Sequence, residues 1–191
     1  MANEHEKPQA SIKISGKLVS RKEAEPKLGG YVYPITFKHF LKFHLLEGSY
    51  GYLPVLSPSD YFENKDVVLK GSLRTTLVNS RNGQEKHLYI DSPSFSLNEK
   101  PSGHINSIAV AGVLSSRDSR TSCHCGITHF DIDVELSKYD NVTLPCVATG
   151  NNSVDIIKTK IGEPVSFNAV CMHPTNLVID GDGVGKIQLY S

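Results

Sequence analysis

The chain repeats itself. Residues 11–21 read SIKISGKLVSR and residues 107–117 read SIAVAGVLSSR. Ser11, Ile12, Gly16, Leu18, Ser20 and Arg21 thus recur 96 positions later as Ser107, Ile108, Gly112, Leu114, Ser116 and Arg117. A second echo sets Leu53-Pro54-Val55-Leu56 against Leu144-Pro145-Cys146-Val147, and a third sets residues 66–71 (DVVLKG) against 163–168 (EPVSFN). The echoes keep their order. Their spacing is too long for a solenoid, whose repeats run to roughly 20–50 residues, and it fits two small domains in tandem. The expected division is 1–100, with residues 1–10 as a flexible arm, and 104–191. Asn98 to Gly103 would be the linker.

Both copies read as strands. Ile12, Ile14, Gly16 and Leu18 alternate with Lys13, Ser15 and Lys17, the period of a half-buried strand. Residues 23–30 carry charge, Pro26 and Gly29-Gly30, and read as a loop. Tyr31, Tyr33, Ile35 and Phe37 share one face of an expected second strand. Residues 40–46 (FLKFHLL) fit either a helical turn or a strand. Further strands are expected at 50–56, 67–77 and 86–91, with Asn82-Gly83 as a tight turn. In the second copy, strands are expected at 105–114, 130–136, 142–148, 164–172 and 186–190, with a loop at 115–126 and a short helix near 154–160. Phe130, Ile132, Val134 and Leu136 alternate with Asp131, Asp133 and Glu135, the clearest period-two run in the chain. Five strands per copy, with at most one short helix, is the layout of an OB-fold barrel. The fold class expected is all-β, two tandem five-stranded OB-fold barrels.

Composition narrows the function. Hydrophobic residues make up 39% and charged residues 21%, as in ordinary globular domains. No apolar run approaches the roughly 18 residues of a membrane helix, so no membrane partner is expected. The polar N-terminus lacks the apolar core of a signal peptide, and four cysteines without a secretory signal fit reduced thiols and a cytoplasmic location. The net charge is zero, but it is unevenly divided. Residues 1–103 hold 14 Lys/Arg against 11 Asp/Glu, and residues 104–191 hold 6 against 9, giving +3 and −3. A polyanion would prefer the first copy.

Residues 106–114 (NSIAVAGVL) resemble the opening strand of bacterial single-stranded DNA-binding proteins. Residues 130–134 (FDIDV) resemble their second strand, 144–150 (LPCVATG) the third, and 157–165 (IKTKIGEPV) the helix and turn into the fourth. The first copy matches mainly at residues 11–19 and 66–73. The primosomal protein PriB shares this fold. The resemblance implies single-stranded DNA as partner, a role in replication, recombination or repair, and a homodimer that places four OB folds around the strand. The alternative is an accessory protein-interaction module of the same fold. The chain departs from these proteins in having no Trp, and in its second copy Asp131, Asp133 and Glu135 would repel phosphates.

Single-strand binding needs cations for the backbone and flat rings for the bases. The first copy offers Lys13, Lys17, Arg21, Lys22 and Lys27, then Tyr31 and Tyr33, and around its last hairpin Arg74, Arg81 and Lys86. The second copy adds Arg117 and Arg120. Cys123, Cys125 and His129 resemble a zinc set, but C-x-C chelates poorly and no second pair accompanies it, so no metal site is expected. Cys146 and Cys171 are expected to face the core. The glycine-rich stretch 181–185 lies between late strands rather than before a helix, which removes the phosphate-loop reading. No catalytic motif is present. Neither an enzyme nor a cofactor is expected.

Overall fold

The computed structural model describes residues 5–45, 48–56, 58–98, 103–118, 126–181, 184–186 and 188–189. In chain order the elements are β1 (His5–Glu6), β2 (Gln9–Ser20), helix α1 (Arg21–Ala24) with a following 3-10 turn (Glu25–Lys27), β3 (His39–His44) and β4 (Tyr50–Val55). A 3-10 turn (Asp60–Phe62), β5 (Asp66–Ser80), β6 (Gly83–Leu97), β7 (Asn106–Arg117), β8 (Ile127–Ser137) and β9 (Asp140–Thr149) follow. Helix α2 (Gly150–Lys158), β10 (Pro164–His173), β11 (Asn176–Ile179), β12 (Gly185–Lys186) and β13 (Gln188–Leu189) complete the chain. The protein is all-β with short helices. It divides into two compact units, one of Ser11–Ser107 with Met172–Thr175, the other of the remaining described residues.

The first unit is a closed barrel. β2 pairs antiparallel with β3, β3 antiparallel with β4, and β4 parallel with β6 through Val55 and Ile90. β6 then pairs antiparallel with β5, and β5 antiparallel with β2. Ile12, Ile14, Leu18, Leu41, Leu53, Leu69, Leu88 and Ile90 fill it and are almost wholly buried. Such side chains contribute about 1.5–3 kcal/mol each through burial. Ser15, on the outer face of β2, is buried because Ile105 covers it. Its backbone N–H donates to the Ile105 carbonyl at 2.8 Å, and its hydroxyl accepts from the Ile105 N–H at 2.8 Å.

In the second unit β7 pairs with β8, β8 with β9, β9 in parallel with β11, β11 with β10, and β10 with β7. Numbered along each circuit, both read 1-2-3-5-4-1. The three sequence echoes fall on the first, third and fourth strands of each. Cys146 and Cys171 are buried, as expected from their strands, and burial pushes the Cys146 thiol well above its ordinary pKa.

The recurring glycine has a physical cause. β2 pairs with β5 as far as Lys17 and with β3 from Lys17 onward, and β7 changes from β10 to β8 at Val113. Gly16 and Gly112 each stand one residue before the change. A Cβ on Gly16 would run into the Lys42 carbonyl oxygen, and one on Gly112 would lie 2.5 Å from that of Asp133. The close backbone approach admits only glycine.

Several expectations change. Residues 31–37 are not a strand. They form an irregular segment with one isolated bridge, Val32 to Asn79, and the second strand is β3. Pro34 explains this, because proline cannot donate to a ladder and is excluded from central strands. The four apolar residues expected on one face separate accordingly: Tyr33 and Phe37 are 3% exposed, Ile35 86%. Residues 21–27 wind into α1 and a 3-10 turn rather than forming an open loop. Ser20 caps α1 by accepting from the Glu23 N–H at 3.4 Å. The closing strand of the second circuit is β11, not residues 186–190. β12 pairs with β10, and β13 pairs in parallel with β1. Within the N-terminal arm, His5–Glu6 is therefore held in a two-stranded sheet.

Candidate nucleic-acid interface

The outer face of β3–β4 collects rings and charge. Leu41 and Phe43 point into the barrel with Leu53, so Lys42, His44, Tyr50 and Tyr52 point out. Lys42 lies opposite Tyr52 and His44 opposite Tyr50. Directly paired residues share a face of the sheet. Lys17 pairs with Lys42 across β2–β3, which gives a row Lys17–Lys42–Tyr52. The Lys42 ammonium sits 4.4 Å from the Tyr50 ring centroid. The His44 ring lies 4.5 Å from Tyr50 and 3.9 Å from His104, so three rings pack together at tilted angles. Gly51, between the two tyrosines, leaves the space that the Phe43 ring fills.

Residues 21–38 border this face and carry a small core of their own. Ala24, Leu28, Tyr33 and Phe37 pack with Val19, Phe40 and Val78, and Tyr31, Tyr52 and Tyr89 rest against them. Arg21 ties the segment down. Its guanidinium donates to the carbonyls of Tyr33 (2.9 Å), Pro34 (2.9 Å) and Phe37 (3.4 Å) and pairs with Glu25 at 2.7 Å. Beneath it, the Tyr33 hydroxyl meets His87 Nδ1 at 2.6 Å, and the Tyr31 hydroxyl donates to Glu85 at 3.1 Å. His87 is fully buried, and that burial lowers its pKa against the upward pull of Glu85. Burial, and then Glu85, raise the Tyr31 phenol. A cleft of about 160 Å³ opens between this segment and β4.

The expected site residues divide as follows. Lys13, Lys22, Lys27, Arg81 and Lys86 are exposed, and Lys17 is half-exposed. Lys27 and Tyr31 line the cleft. Tyr33 also lines the cleft but is buried, its ring edges packed against Phe40 and His87. Arg74 is half-buried, with Nε 3.7 Å from the Asp91 carboxylate. Arg117 donates to the carbonyls of Ile156 (2.8 Å), Ile157 (2.5 Å) and Thr159 (3.0 Å), closing the end of α2. The echoed arginines therefore both bind main-chain carbonyls. Arg120, Cys123 and Cys125 lie outside the described residues. His129 is exposed on β8, and no cluster able to hold a metal occurs among the described residues.

Lys42, His44, Tyr50 and Tyr52 escaped the sequence reading. Their signal was there, two i, i+2 pairs in adjacent runs, but it became usable only once both runs were strands. The matching face of the second unit is acidic. Asp131, Asp133 and Glu135 point away from buried Phe130, Ile132 and Val134. Asp131 accepts from the Ser116 hydroxyl and Asp133 from the Thr143 hydroxyl, each at 2.6 Å.

No protein-family model and no curated protein matches this sequence. Solved structures match in fold. A deletion variant of the single-stranded DNA binding protein from Thermus aquaticus aligns with a TM-score of 0.62 over 94% of this chain and 95% of that chain, at 11% identity. The wild-type protein from that organism aligns with a TM-score of 0.52 over 95% and 97%, at 12% identity. Among the described residues, no helix is long and apolar enough to cross a membrane. The chain is an all-β protein with the five-stranded OB-type barrel fold, similar in architecture to that single-stranded DNA-binding protein.

Proposed function

We propose that this protein binds single-stranded DNA without sequence specificity, through the β3–β4 face and the 21–38 segment of its first unit. The carrying observation is that Lys17, Lys42, His44, Tyr50 and Tyr52 share one outer face. Cations beside flat rings are what a strand with exposed phosphates and unstacked bases requires. The face of an OB barrel's second and third strands, here β3–β4, and its first loop are also where that fold binds oligonucleotides. Lys22, Lys27 and Tyr31 border the face, and Arg81 and Lys86 extend the basic surface along the β5–β6 hairpin. The two units are duplicates, a reading supported by the echoes on equivalent strands. The protein acts in replication, recombination or repair as a homodimer, uses no catalysis, and resides in the cytoplasm, where buried Cys146 and Cys171 stay reduced.

The test is anisotropy of a labelled oligo-dT at several salt concentrations. Tyr50→Ala or Tyr52→Ala is expected to cost about 1–3 kcal/mol of binding. Lys42→Gln is expected to flatten the log–log salt slope by roughly 0.7. Wild-type affinity in all three variants would show that the face is not the interface. The acidic face of the second unit favours one further reading, a protein-contact role for that unit, as in a PriB-like accessory factor. Light scattering tests the dimer, and a strict monomer at working concentration would count against it.

A further inference from the structure

We propose that the cleft beside the β3–β4 face receives one unstacked pyrimidine base of the bound strand, an inference that rests on the single-strand binding reading. Tyr50 and Tyr52 belong to both the outer face and the cleft wall. A strand stacked on these rings therefore has its neighbouring base at the cleft mouth. Size then selects the occupant. The cleft measures about 160 Å³, and a cavity of roughly 150 Å³ holds benzene. One six-membered ring fills it, and a fused purine would extend out through its open side.

The lining agrees with that occupant. Leu28, Leu45, Tyr31 and Met172 supply apolar and aromatic walls, and the thioether of Met172 adapts to a flat ring. Lys27 stands exposed at the rim and makes no ion pair among the described residues. An aromatic ring carried on an anionic chain satisfies walls and rim together, whereas an uncharged apolar ligand would leave Lys27 unused. Glu85, the acid bonded to the Tyr31 hydroxyl, keeps that ring fixed from behind.

The experiment compares oligo-dT with oligo-dA of roughly 16 nucleotides, the upper site size of one OB fold. It uses the full chain and two variants that act in opposite directions. Pyrimidine preference by itself is not diagnostic, because stacking strength and strand flexibility also produce one. Met172→Trp fills the cleft and is expected to weaken oligo-dT by roughly tenfold, the scale of one lost base contact, while leaving oligo-dA unchanged. Met172→Ala widens it and is expected to raise oligo-dA affinity and narrow the ratio, so the inference stays testable should the tryptophan variant fail to fold. A dT/dA ratio unchanged in the folded variants overturns the base receptor and leaves the binding face intact. Failure of the wild-type protein to bind either oligonucleotide overturns the nucleic-acid reading, and the receptor with it.

Discussion

At Gly112 a single methyl group has nowhere to go. A Cβ there meets the Asp133 carbonyl oxygen at 2.5 Å and Ile132 Cγ2 at 2.6 Å, and the first of these is backbone that cannot rotate away. Gly112→Ala, and Gly16→Ala in the first unit, are each expected to cost about 1–3 kcal/mol by overpacking, measured by denaturant unfolding. Ordinary stability in both would mean the strands can bend without glycine. His87 makes a different kind of claim. Its folded pKa is lowered by burial, while the unfolded chain protonates near pH 6.5. The unfolded state therefore binds more protons below that pH, and stability falls on acidification. His173, also lowered by burial, acts in the same direction. The melting temperature is expected to drop from about pH 7.5 to about pH 5.5, around the ordinary histidine pKa. His87→Gln should start lower at neutral pH and show a shallower drop. An equal slope in that variant would remove His87 as the cause.

Arg21 and Arg117 decide whether whole elements keep their shape. Arg21 spreads both terminal nitrogens over three carbonyls of the irregular 31–37 segment, and Arg117 gathers three carbonyls at the end of α2 on Nη1. Lysine keeps the charge but not the planar fork. Either Arg→Lys change is expected to cost about 1.5–3 kcal/mol, the range for hydrogen bonds to a charged group. Their effects on binding should differ. Arg21→Lys loosens the segment that carries Lys27 and Tyr31 and should weaken oligo-dT binding with the charge preserved. Arg117→Lys should lower the melting temperature and leave affinity unchanged. Equal affinities in the two variants would separate the clamp from the interface.

Across the molecule, charge divides the labour. Neutralising Asp131, Asp133 and Glu135 together is expected to change oligo-dT affinity less than Lys42→Gln alone, as read by anisotropy. A larger effect of the acidic triple would place the main interface on the second unit. The proposed asymmetry agrees with the +3 and −3 halves, and charge on an exposed face acts mainly within a Debye length of roughly 8–10 Å.

Strand positions and inward faces were legible in the sequence wherever alternation was clean. Ile12 and Ile14, Phe130 to Val134, the echoed glycines and the acidic row of β8 all follow from a rule that needs only neighbours two residues apart. The same rule misread residues 31–37, because alternation of Tyr31, Tyr33, Ile35 and Phe37 outweighed the proline among them. Long-range pairing decided the rest. Tyr33 is buried because Arg21 holds its carbonyl and His87 its hydroxyl against Phe37 and Phe40, and β11 closes its circuit because Leu177 reaches Cys146 on β9. The cleft exists only where Lys27, Tyr31, Tyr50 and Met172 converge. A local period can assign a side chain to a face, but which faces meet is fixed by contacts between residues far apart in the chain, and that information lies in the tertiary structure alone.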